Sequence, residues 1–472
     1  MIVRHTLLYS GVKFIPAIAT ILTVMAFTRL MSPSEFGQYT LTLNVSTTAV
    51  AILSNFLVIG LGRFEPETRN LSDRSQLHST VLFTAIILNI SVTSVTFFLA
   101  WLDMLPDLSV NYYLIAAIFQ FLLMLSLSQK LINANFLPAL YGISLTLKNV
   151  LIVIFGVVGI SMGYGVEIVL LGFAIAALIA SLPAYKLWER TSIRAFDKTV
   201  LKKLWAYGAP LTFLYLFISV INLSDRLFIE IMLGSEDVGL YAAGYTLTQS
   251  TIGIVGSVIH LASFPLIVKA YEKEGLSKAQ DLLSTSFRIL ILLMVPVTLG
   301  FLAIRSEISM IFLGDNFSST SIILMPVLAF SVFFGTIKSY YFDYTFQLVK
   351  ATWLQSVPPF AAAIINCVLN YVLIPRYGLI GAAYATLISF IFFLAFTAYL
   401  STKIFELPRF PYSFVLKVFL SGALMFLLVS ISGKNLNIWF SLTIKVFLGI
   451  FVYSISVFFL LRSELWKLVR NH

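Results

Sequence analysis

Several ionisable side chains lie inside long apolar stretches of this sequence, where a charge is costly unless it meets a partner or a water-filled space. The basic ones are Arg226, Lys338 and Lys148, and Arg63 lies at the end of such a stretch. A guanidinium group can bind a phosphate through two parallel hydrogen bonds, and an ammonium group can bind it as a point charge. These four residues are therefore candidates for binding an anionic substrate.

A second group of charged residues is placed to form ion pairs or to control a conformational change. Glu230 follows Arg226 by four residues, one helical turn, and Asp225 is adjacent to it. Substrate contact and an ion pair are therefore both open for Arg226. The other candidates for gating or ion pairing are Asp343, in the same apolar stretch as Lys338, and Arg29, at the end of the first apolar stretch.

The sequence predicts neither a catalytic residue nor a metal site. Its four histidines lack metal-ligand spacing, and no glycine-rich phosphate loop precedes a Lys-Ser or Lys-Thr pair. Cys367 is the only cysteine, which excludes an intramolecular disulfide and a cysteine-based metal cluster. We expect a protein that is not an enzyme and needs no cofactor.

The composition predicts an all-α integral membrane protein. Of 472 residues, 59% are hydrophobic and only 11% are charged, which is far from the composition of a soluble domain. Apolar runs of about 20 residues recur, each long enough to cross a bilayer as a helix. We predict about 14 spans: 6–30, 34–62, 78–101, 110–135, 139–163, 165–188, 204–233, 236–265, 284–304, 321–347, 353–375, 379–403, 413–431 and 437–461.

The basic residues predict the orientation of these spans. With the N-terminus in the cytoplasm, 23 of the 31 basic residues fall in cytoplasmic segments and 4 in outer segments, and the other 4 are inside spans. This asymmetry satisfies the positive-inside rule and predicts two cytoplasmic termini. Because the positive charge is dispersed between apolar runs, the net charge of +10 does not indicate a nucleic-acid partner.

An internal repeat divides the chain. Ser34-Glu35-Phe36-Gly37-Gln38-Tyr39 joins the first two predicted spans, and Glu236-Asp237-Val238-Gly239-Leu240-Tyr241 joins the seventh and eighth, 202 residues later. Both copies cross the membrane in the same direction, which predicts two parallel six-helix bundles. The predicted domains are 1–195, 196–405 and a C-terminal helix pair, 406–472.

The repeat motif also carries a resemblance. The stretch Thr28-Arg29-Leu30-Met31-Ser32-Pro33-Ser34-Glu35-Phe36-Gly37-Gln38-Tyr39 resembles the signature of bacterial O-antigen (Wzx-type) polysaccharide flippases, in the multidrug/oligosaccharidyl-lipid/polysaccharide exporter superfamily. Shorter matches agree with it: Tyr207-Gly208-Ala209-Pro210, Asp225-Arg226, Gly239-Leu240-Tyr241, Phe264-Pro265 and the turn Pro375 to Ala383.

The resemblance implies a V-shaped pair of bundles around a central cavity in the bacterial inner membrane. The cavity would accept an undecaprenyl-diphosphate-linked oligosaccharide at the cytoplasmic face and release it outside by alternating access. Besides this glycan, the implied partners are membrane lipid, a polysaccharide polymerase and chain-length proteins. Many members have twelve spans, so the last pair is a departure; by analogy with the peptidoglycan-precursor branch it would form a groove for the lipid tail.

Several polar and aromatic side chains could contact the sugars of such a substrate. Tyrosines in the tenth span could stack on sugars, although packing is the commoner role at helical spacing. Polar runs in the second and eighth spans could bind sugar hydroxyls or hold helices together. The residues are Tyr340, Tyr341 and Tyr344, then Asn44, Ser46, Thr47 and Thr48, and finally Thr246, Thr248, Gln249 and Ser250.

Three alternatives stay open at this stage. A peptidoglycan-precursor flippase shares the architecture and span count. A drug or cation antiporter of the same superfamily is disfavoured because the carboxylates within spans, Asp225, Glu230 and Asp343, all lie in the second half. A membrane polymerase or glycosyltransferase is disfavoured because the outer loops are short and their carboxylates are scattered.

Overall fold

In the computed structural model, helices account for all regular structure among the described residues. These residues are 18–68, 70–102, 111–188, 191–351, 353–433 and 436–470. The start of the first predicted span, residues 6–17, lies outside them. The predicted all-α fold is confirmed for the described chain.

Seventeen α-helices are described. In chain order they are α1 (Ile18–Leu30), α2 (Pro33–Leu53), α3 (Asn55–Phe64), α4 (Leu71–Leu102), α5 (Tyr112–Ala134), α6 (Pro138–Ser161), α7 (Val166–Ser181), α8 (Lys198–Met232), α9 (Ser235–Lys273), α10 (Leu276–Ala303), α11 (Arg305–Phe312), α12 (Asp315–Ile337), α13 (Asp343–Leu348), α14 (Val357–Tyr377), α15 (Leu379–Ile404), α16 (Tyr412–Ile431) and α17 (Ile438–Arg470). Short 3₁₀ turns occupy Glu65–Glu67, Leu182–Leu187, Ile193–Ala195 and Leu354–Ser356.

Each predicted span from the second to the fourteenth corresponds to one described helix or to two consecutive ones, and α11 corresponds to no predicted span. Twelve are long and apolar enough to cross a membrane, with Asp315–Leu348 counted as one span. The pair α2 and α3, bent by 52° next to Ser54, corresponds to the second predicted span, and α1 is the described part of the first. The chain is a multi-pass integral membrane protein. Which side of the membrane holds the termini stays a prediction.

The chain divides into two compact units. The N-terminal unit is Ala26–Ala242 with Pro359–Gly378, and the C-terminal unit contains Ala243–Pro358 together with the described residues before Ala26 and from Leu379 onward. The predicted domain boundaries at residues 195 and 405 stay a prediction.

In the N-terminal unit, α7 packs against α5 and α6, and α8 packs against α2 and α3. Leu57, Leu61, Leu123 and Leu204 are fully buried in the core between α3, α5 and α8. The motif at the start of α2 is a helix cap: Ser32 Oγ accepts a hydrogen bond from Glu35 N, and Ser32 N donates one to Glu35 Oε2. The cap of Ser32 and Glu35, at the start of the repeat motif, therefore fixes where α2 begins.

In the C-terminal unit, α12 packs against α15, and α16 packs against α10 and α17. The tenth span changes its winding in the middle: Lys338–Phe342 form a π-helical turn between α12 and α13. Such turns are rare and occur often at functional sites. This turn displaces Lys338 and Tyr340 from the positions that a regular α-helix would give them.

Candidate functional site

A buried carboxylate in the N-terminal unit organises a polar cluster between α8 and α14. Asp225 is 2% exposed, and its Oδ1 accepts hydrogen bonds from Nδ2 of Asn366 at 3.0 Å and Asn370 at 2.7 Å. Its Oδ2 accepts one from the hydroxyl of Tyr241 at 3.1 Å. Ser224 completes the cluster by donating to Asn366 Oδ1 at 2.6 Å. Each oxygen of the carboxylate therefore has at least one hydrogen-bond donor in an apolar environment.

Arg226 and Glu230 lie on the same helix as this cluster, and both are 5% exposed. The guanidinium of Arg226 donates from Nη1 to the carbonyl oxygen of Asn222 at 2.7 Å. Glu230 accepts a hydrogen bond from the Ser235 hydroxyl at 2.9 Å, across the turn that joins α8 to α9. Arg226 is thus buried and bonded to the backbone of its own helix, which indicates a structural role. Its predicted contact with the substrate stays a prediction.

Lys148 lies in the middle of a predicted span, beside an aromatic ring. It is the eleventh of the 24 residues of α6, and its Nζ lies 5.6 Å from the ring centroid of Phe173 on α7. Among the described residues, no carboxylate lies within ion-pair distance of this ammonium. A cation–π contact alone compensates only a small part of the cost of dehydrating an ammonium group. The predicted role of Lys148 in substrate binding stays a prediction.

The two predicted residues at helix ends are exposed. Arg63 pairs with Glu67 one turn later, and its guanidinium lies 6.0 Å from the ring centroid of Tyr207. Arg29 is exposed at the end of α1. Exposed ion pairs contribute little to stability, so Arg63 can exchange its partner at low cost.

In the C-terminal unit, Lys338 and Asp343 form a buried ion pair across the π-helical turn. Their Nζ and Oδ2 are 2.8 Å apart, and Lys338 is 2% exposed. The ammonium also lies 3.9 Å from the ring centroid of Phe393 on α15. The sequence predicted both residues in one span, with Lys338 as an anion-binding residue and Asp343 as a gating or ion-pair residue. In the structure they contact each other. Their predicted roles in binding and gating stay predictions.

A lateral cavity of about 390 Å³ opens in the C-terminal unit between α10, α16 and α17. Its walls are mostly apolar, and Lys445 is the charged residue that lines it. The other lining residues include Pro296, Gly300, Met425, Val429, Gly449 and Tyr453. Two of the three helices are the predicted C-terminal pair, which therefore forms an apolar recess with the bundle.

A family model described as "Polysaccharide biosynthesis protein" matches residues 2–271, more than half of the chain. The chain belongs to this family. The predicted resemblance to the polysaccharide flippases is thereby confirmed at the level of the family, and the matched segment contains Arg29, Arg63, Lys148 and Arg226.

Two curated proteins resemble this member of the polysaccharide biosynthesis protein family. One, from Haloferax volcanii, is named as the low-salt glycan biosynthesis flippase Agl15 and is 26% identical over 234 residues, 49% of this chain and 48% of that protein. The other, from Shigella flexneri, is named as an O-antigen transporter and is 22% identical over 182 residues, 39% of this chain and 42% of that protein. The chain thus spans less than half the length of either relative.

Two solved structures have folds similar to that of this chain. The lipid II flippase MurJ in an inward closed conformation superposes with a TM-score of 0.81 at 15% identity, over 97% of this chain and 100% of that one. An inward-facing multidrug resistance MATE transporter superposes with a TM-score of 0.66 at 14% identity, over 83% and 95% of the two chains. At such identities these comparisons show the fold alone.

The family member contains buried polar pairs that the sequence analysis did not predict. Glu65, 2% exposed, pairs with the buried His78 at 2.8 Å and with Arg74 at 3.3 Å. Glu307 on α11 pairs with Lys445 on α17. Burial raises the pKa of Glu307, but hydrogen bonds from Lys445 and Ser441 outweigh this effect, and the net pKa lies below the ordinary value. Glu307 and Lys445 are 138 residues apart, and Glu65 and His78, 13 residues apart, lie on different helical elements, so helical spacing alone could not reveal either pair.

Proposed function

We propose that this protein is a flippase that moves an undecaprenyl-diphosphate-linked oligosaccharide from the cytoplasmic to the outer leaflet by alternating access. The substrate is a repeat unit of O-antigen or another surface polysaccharide. The observation that carries the proposal is the family match over residues 2–271. The names of the two curated relatives, a glycan biosynthesis flippase and an O-antigen transporter, support it. Its location is the bacterial inner membrane, with both termini in the cytoplasm.

The charged residues within the spans suit a diphosphate. A diphosphate is strongly hydrated and needs cationic groups to replace water as it crosses the membrane. Lys148 offers an ammonium without a carboxylate partner among the described residues. Arg226, Lys338 and Arg63 are the further anchors in the proposal, and Asp225, Glu230, Asp343 and Arg29 control gating through ion pairs. The polyprenyl tail stays in lipid, and the lateral cavity between α10, α16 and α17 takes up part of it.

A deletion mutant of the host organism tests this proposal. It should lose its surface polysaccharide and accumulate lipid-linked repeat units whose glycan faces the cytoplasm, because synthesis continues without transport. The wild-type gene should restore the polysaccharide, Lys148→Arg should restore it in part, and Lys148→Ala should restore little at equal protein level. Lys403→Ala is the matched control, since Lys403 is exposed at the end of α15. Normal surface polysaccharide in the deletion mutant would contradict the proposal.

A second candidate function is the translocation of a peptidoglycan precursor. It is favoured by the superposition on the lipid II flippase MurJ over nearly the whole chain. The two candidates differ in the lipid-linked molecule that accumulates on depletion of the protein. Accumulation of the peptidoglycan precursor with cell lysis would favour the second, and accumulation of polysaccharide repeat units in intact cells would favour the first. A polymerase and chain-length proteins are partners only in the first.

A further inference from the structure

One face of α9 is polar through the middle of the predicted membrane span. Thr246, Gln249, Gly253, Ser257 and His260 follow each other at intervals of three or four residues, so they lie on one side of the helix. Gln249 is exposed and the other four are half-buried. An exposed amide at this depth is costly in lipid, where no water satisfies its donors and acceptors. This side of α9 must therefore border water.

An aromatic wall continues this face. The imidazole of His260 stacks on Phe264, with ring centroids 5.1 Å apart and planes at 20°. The ring of Tyr340 lies 5.4 Å from the imidazole. His260, Phe264 and Tyr340 are all half-buried, so part of each ring is open to the outside of the unit. They form a surface that is apolar on its ring faces and polar at the imidazole and phenol.

Buried residues hold the rings of this wall in position. Tyr344 is fully buried, and its hydroxyl lies 2.9 Å from Nδ1 of His260. Tyr340 is packed against Gly256, where an added Cβ would lie 2.4 Å from the tyrosine ring. The π-helical turn carries Tyr340 into this position, and the buried Lys338–Asp343 pair holds the turn. Rigid support of this kind is what a binding surface needs in order to lose little entropy on binding.

Gly253 leaves space on this face for the amide of Gln249. A Cβ added to Gly253 would lie 2.8 Å from Nε2 of Gln249. The opposite side of α9 has a different character: Thr251 lines the lateral cavity, and its hydroxyl donates to the carbonyl oxygen of Leu247. The side of α9 that contains Gln249 therefore combines an exposed amide, half-buried polar groups and aromatic rings.

We propose that this side of α9, with Tyr340, binds the sugar rings of the transported glycan. We call it the glycan face and define it as Gln249, Gly253, Ser257, His260, Phe264 and Tyr340. A pyranose has apolar C–H faces that pack on aromatic rings, and hydroxyls around its edge that bond to amide, hydroxyl and imidazole groups. From Gln249 to Phe264 the face is about 22 Å long at the helical rise, which accommodates more than one ring.

This inference deepens the proposed function and rests on it. It concerns the sugars of the substrate, whereas the proposed function assigns the diphosphate to Lys148. Substitutions on the face should therefore reduce transport in proportion to the number of sugars, whereas loss of Lys148 should reduce it for every substrate. If only the cationic residues bound the substrate, the effect of these substitutions on transport would not depend on the number of sugars.

The test uses the full-length protein in proteoliposomes with two probes. One probe is undecaprenyl diphosphate carrying the complete repeat unit, and the other carries a single hexose. Gln249→Leu and Tyr340→Leu should each slow translocation of the complete repeat unit about fivefold, the effect of losing one hydrogen bond or one stacking contact. Translocation of the single-hexose probe should change less than twofold. Lys148→Ala should slow both probes equally.

Two controls keep the result interpretable. Lys403→Ala changes an exposed ammonium at the end of α15, which is not part of the glycan face, and should not alter the ratio of the two rates. Tyr340→Phe keeps the ring and should retain most of the rate with the complete repeat unit, which separates stacking from misfolding. Equal slowing of both probes by Gln249→Leu and Tyr340→Leu, or no slowing of either, would overturn the glycan face. Failure of the wild-type protein to move either probe would instead overturn the proposed function.

Discussion

Gly37 and Gly239 face each other in the N-terminal unit, although 202 residues separate them in the chain. A Cβ added to Gly37 would lie 1.9 Å from the carbonyl oxygen of Ser235, and one added to Gly239 would lie 1.9 Å from that of Pro33. Each would also lie 3.0 Å from the backbone nitrogen of the other glycine. The two copies of the repeat motif thus contact each other through their equivalent residues, backbone against backbone.

This contact makes both glycines sensitive to a single methyl group. Gly37→Ala and Gly239→Ala should each lower the apparent melting temperature of the purified protein, because the obstructing atoms belong to backbone that cannot rotate away. Overpacking costs about 1–3 kcal/mol, more than the gain of about 1 kcal/mol in helix propensity. Thermal unfolding in detergent measures the difference.

Gly300→Ala is the matched control for these two variants. A Cβ there would lie 3.6 Å from Met425 Cε, an ordinary contact, so we expect an unchanged or slightly higher melting temperature. Equal stability of Gly37→Ala, Gly239→Ala and this control would show that the two motifs do not meet as described.

The carboxylate of Asp225 should matter mainly as an acceptor of hydrogen bonds. Asp225→Ala leaves two amide donors and one hydroxyl without their acceptor, and we expect a loss of about 2–4 kcal/mol in unfolding free energy. Asp225→Asn keeps one oxygen for Asn366 and Asn370, so its loss should be clearly smaller. Unfolding of the three proteins in detergent gives the order, and equal losses for the two variants would contradict this account.

The ion pair of Lys338 and Asp343 should behave as a unit. Lys338→Met alone leaves a buried carboxylate without its cation, and Asp343→Leu alone leaves a buried ammonium; each should cost about 3–5 kcal/mol. The double variant leaves no isolated charge and should recover most of that loss. A double-mutant cycle on unfolding free energy measures the coupling, and purely additive effects would be incompatible with the pair. Transport by the stable double variant then tests the binding role of Lys338.

The pair of Glu307 and Lys445 should make stability depend on acid. Because the pKa of Glu307 is lower in the folded protein than in the unfolded chain, its contribution is complete above the ordinary glutamate pKa and is lost as pH falls through the folded value. The wild-type melting temperature should therefore fall more steeply below about pH 4.5 than that of Glu307→Gln. Parallel curves for the two proteins between pH 7 and pH 3.5 would rule out the pair as a source of acid sensitivity.

The helical fold could be predicted from sequence because the bilayer imposes a length and an apolar composition on each span. The cap formed by Ser32 and Glu35 was not predicted, although this local spacing is typical of a helix start. The contact between Gly37 and Gly239 could not be derived in the same way. The repeat revealed that the two glycines are equivalent, but only the packing of the helices shows that they meet.

The candidate site was predictable only in part. Lys338 and Asp343 are five residues apart, and regular α-helical geometry does not place such positions on one face; the π-helical turn brings them together. Asn366 and Asn370 were missed, although amides four residues apart in an apolar span share one face and are a recognisable signal. Their partner Asp225 lies about 140 residues earlier, and such a pairing becomes visible only in the folded chain.

The central claim is that this protein carries a diphosphate-linked glycan across a bilayer, and reconstitution measures it most directly. Purified full-length protein is placed in lipid vesicles that contain the undecaprenyl-diphosphate-linked repeat unit, and the glycan accessible to an external, membrane-impermeant oxidant is followed over time. We predict that accessibility rises from the outer-leaflet share to nearly the whole pool, and that Lys148→Ala slows this rise. Accessibility that stays at the outer-leaflet share, as in vesicles without protein, would contradict the account.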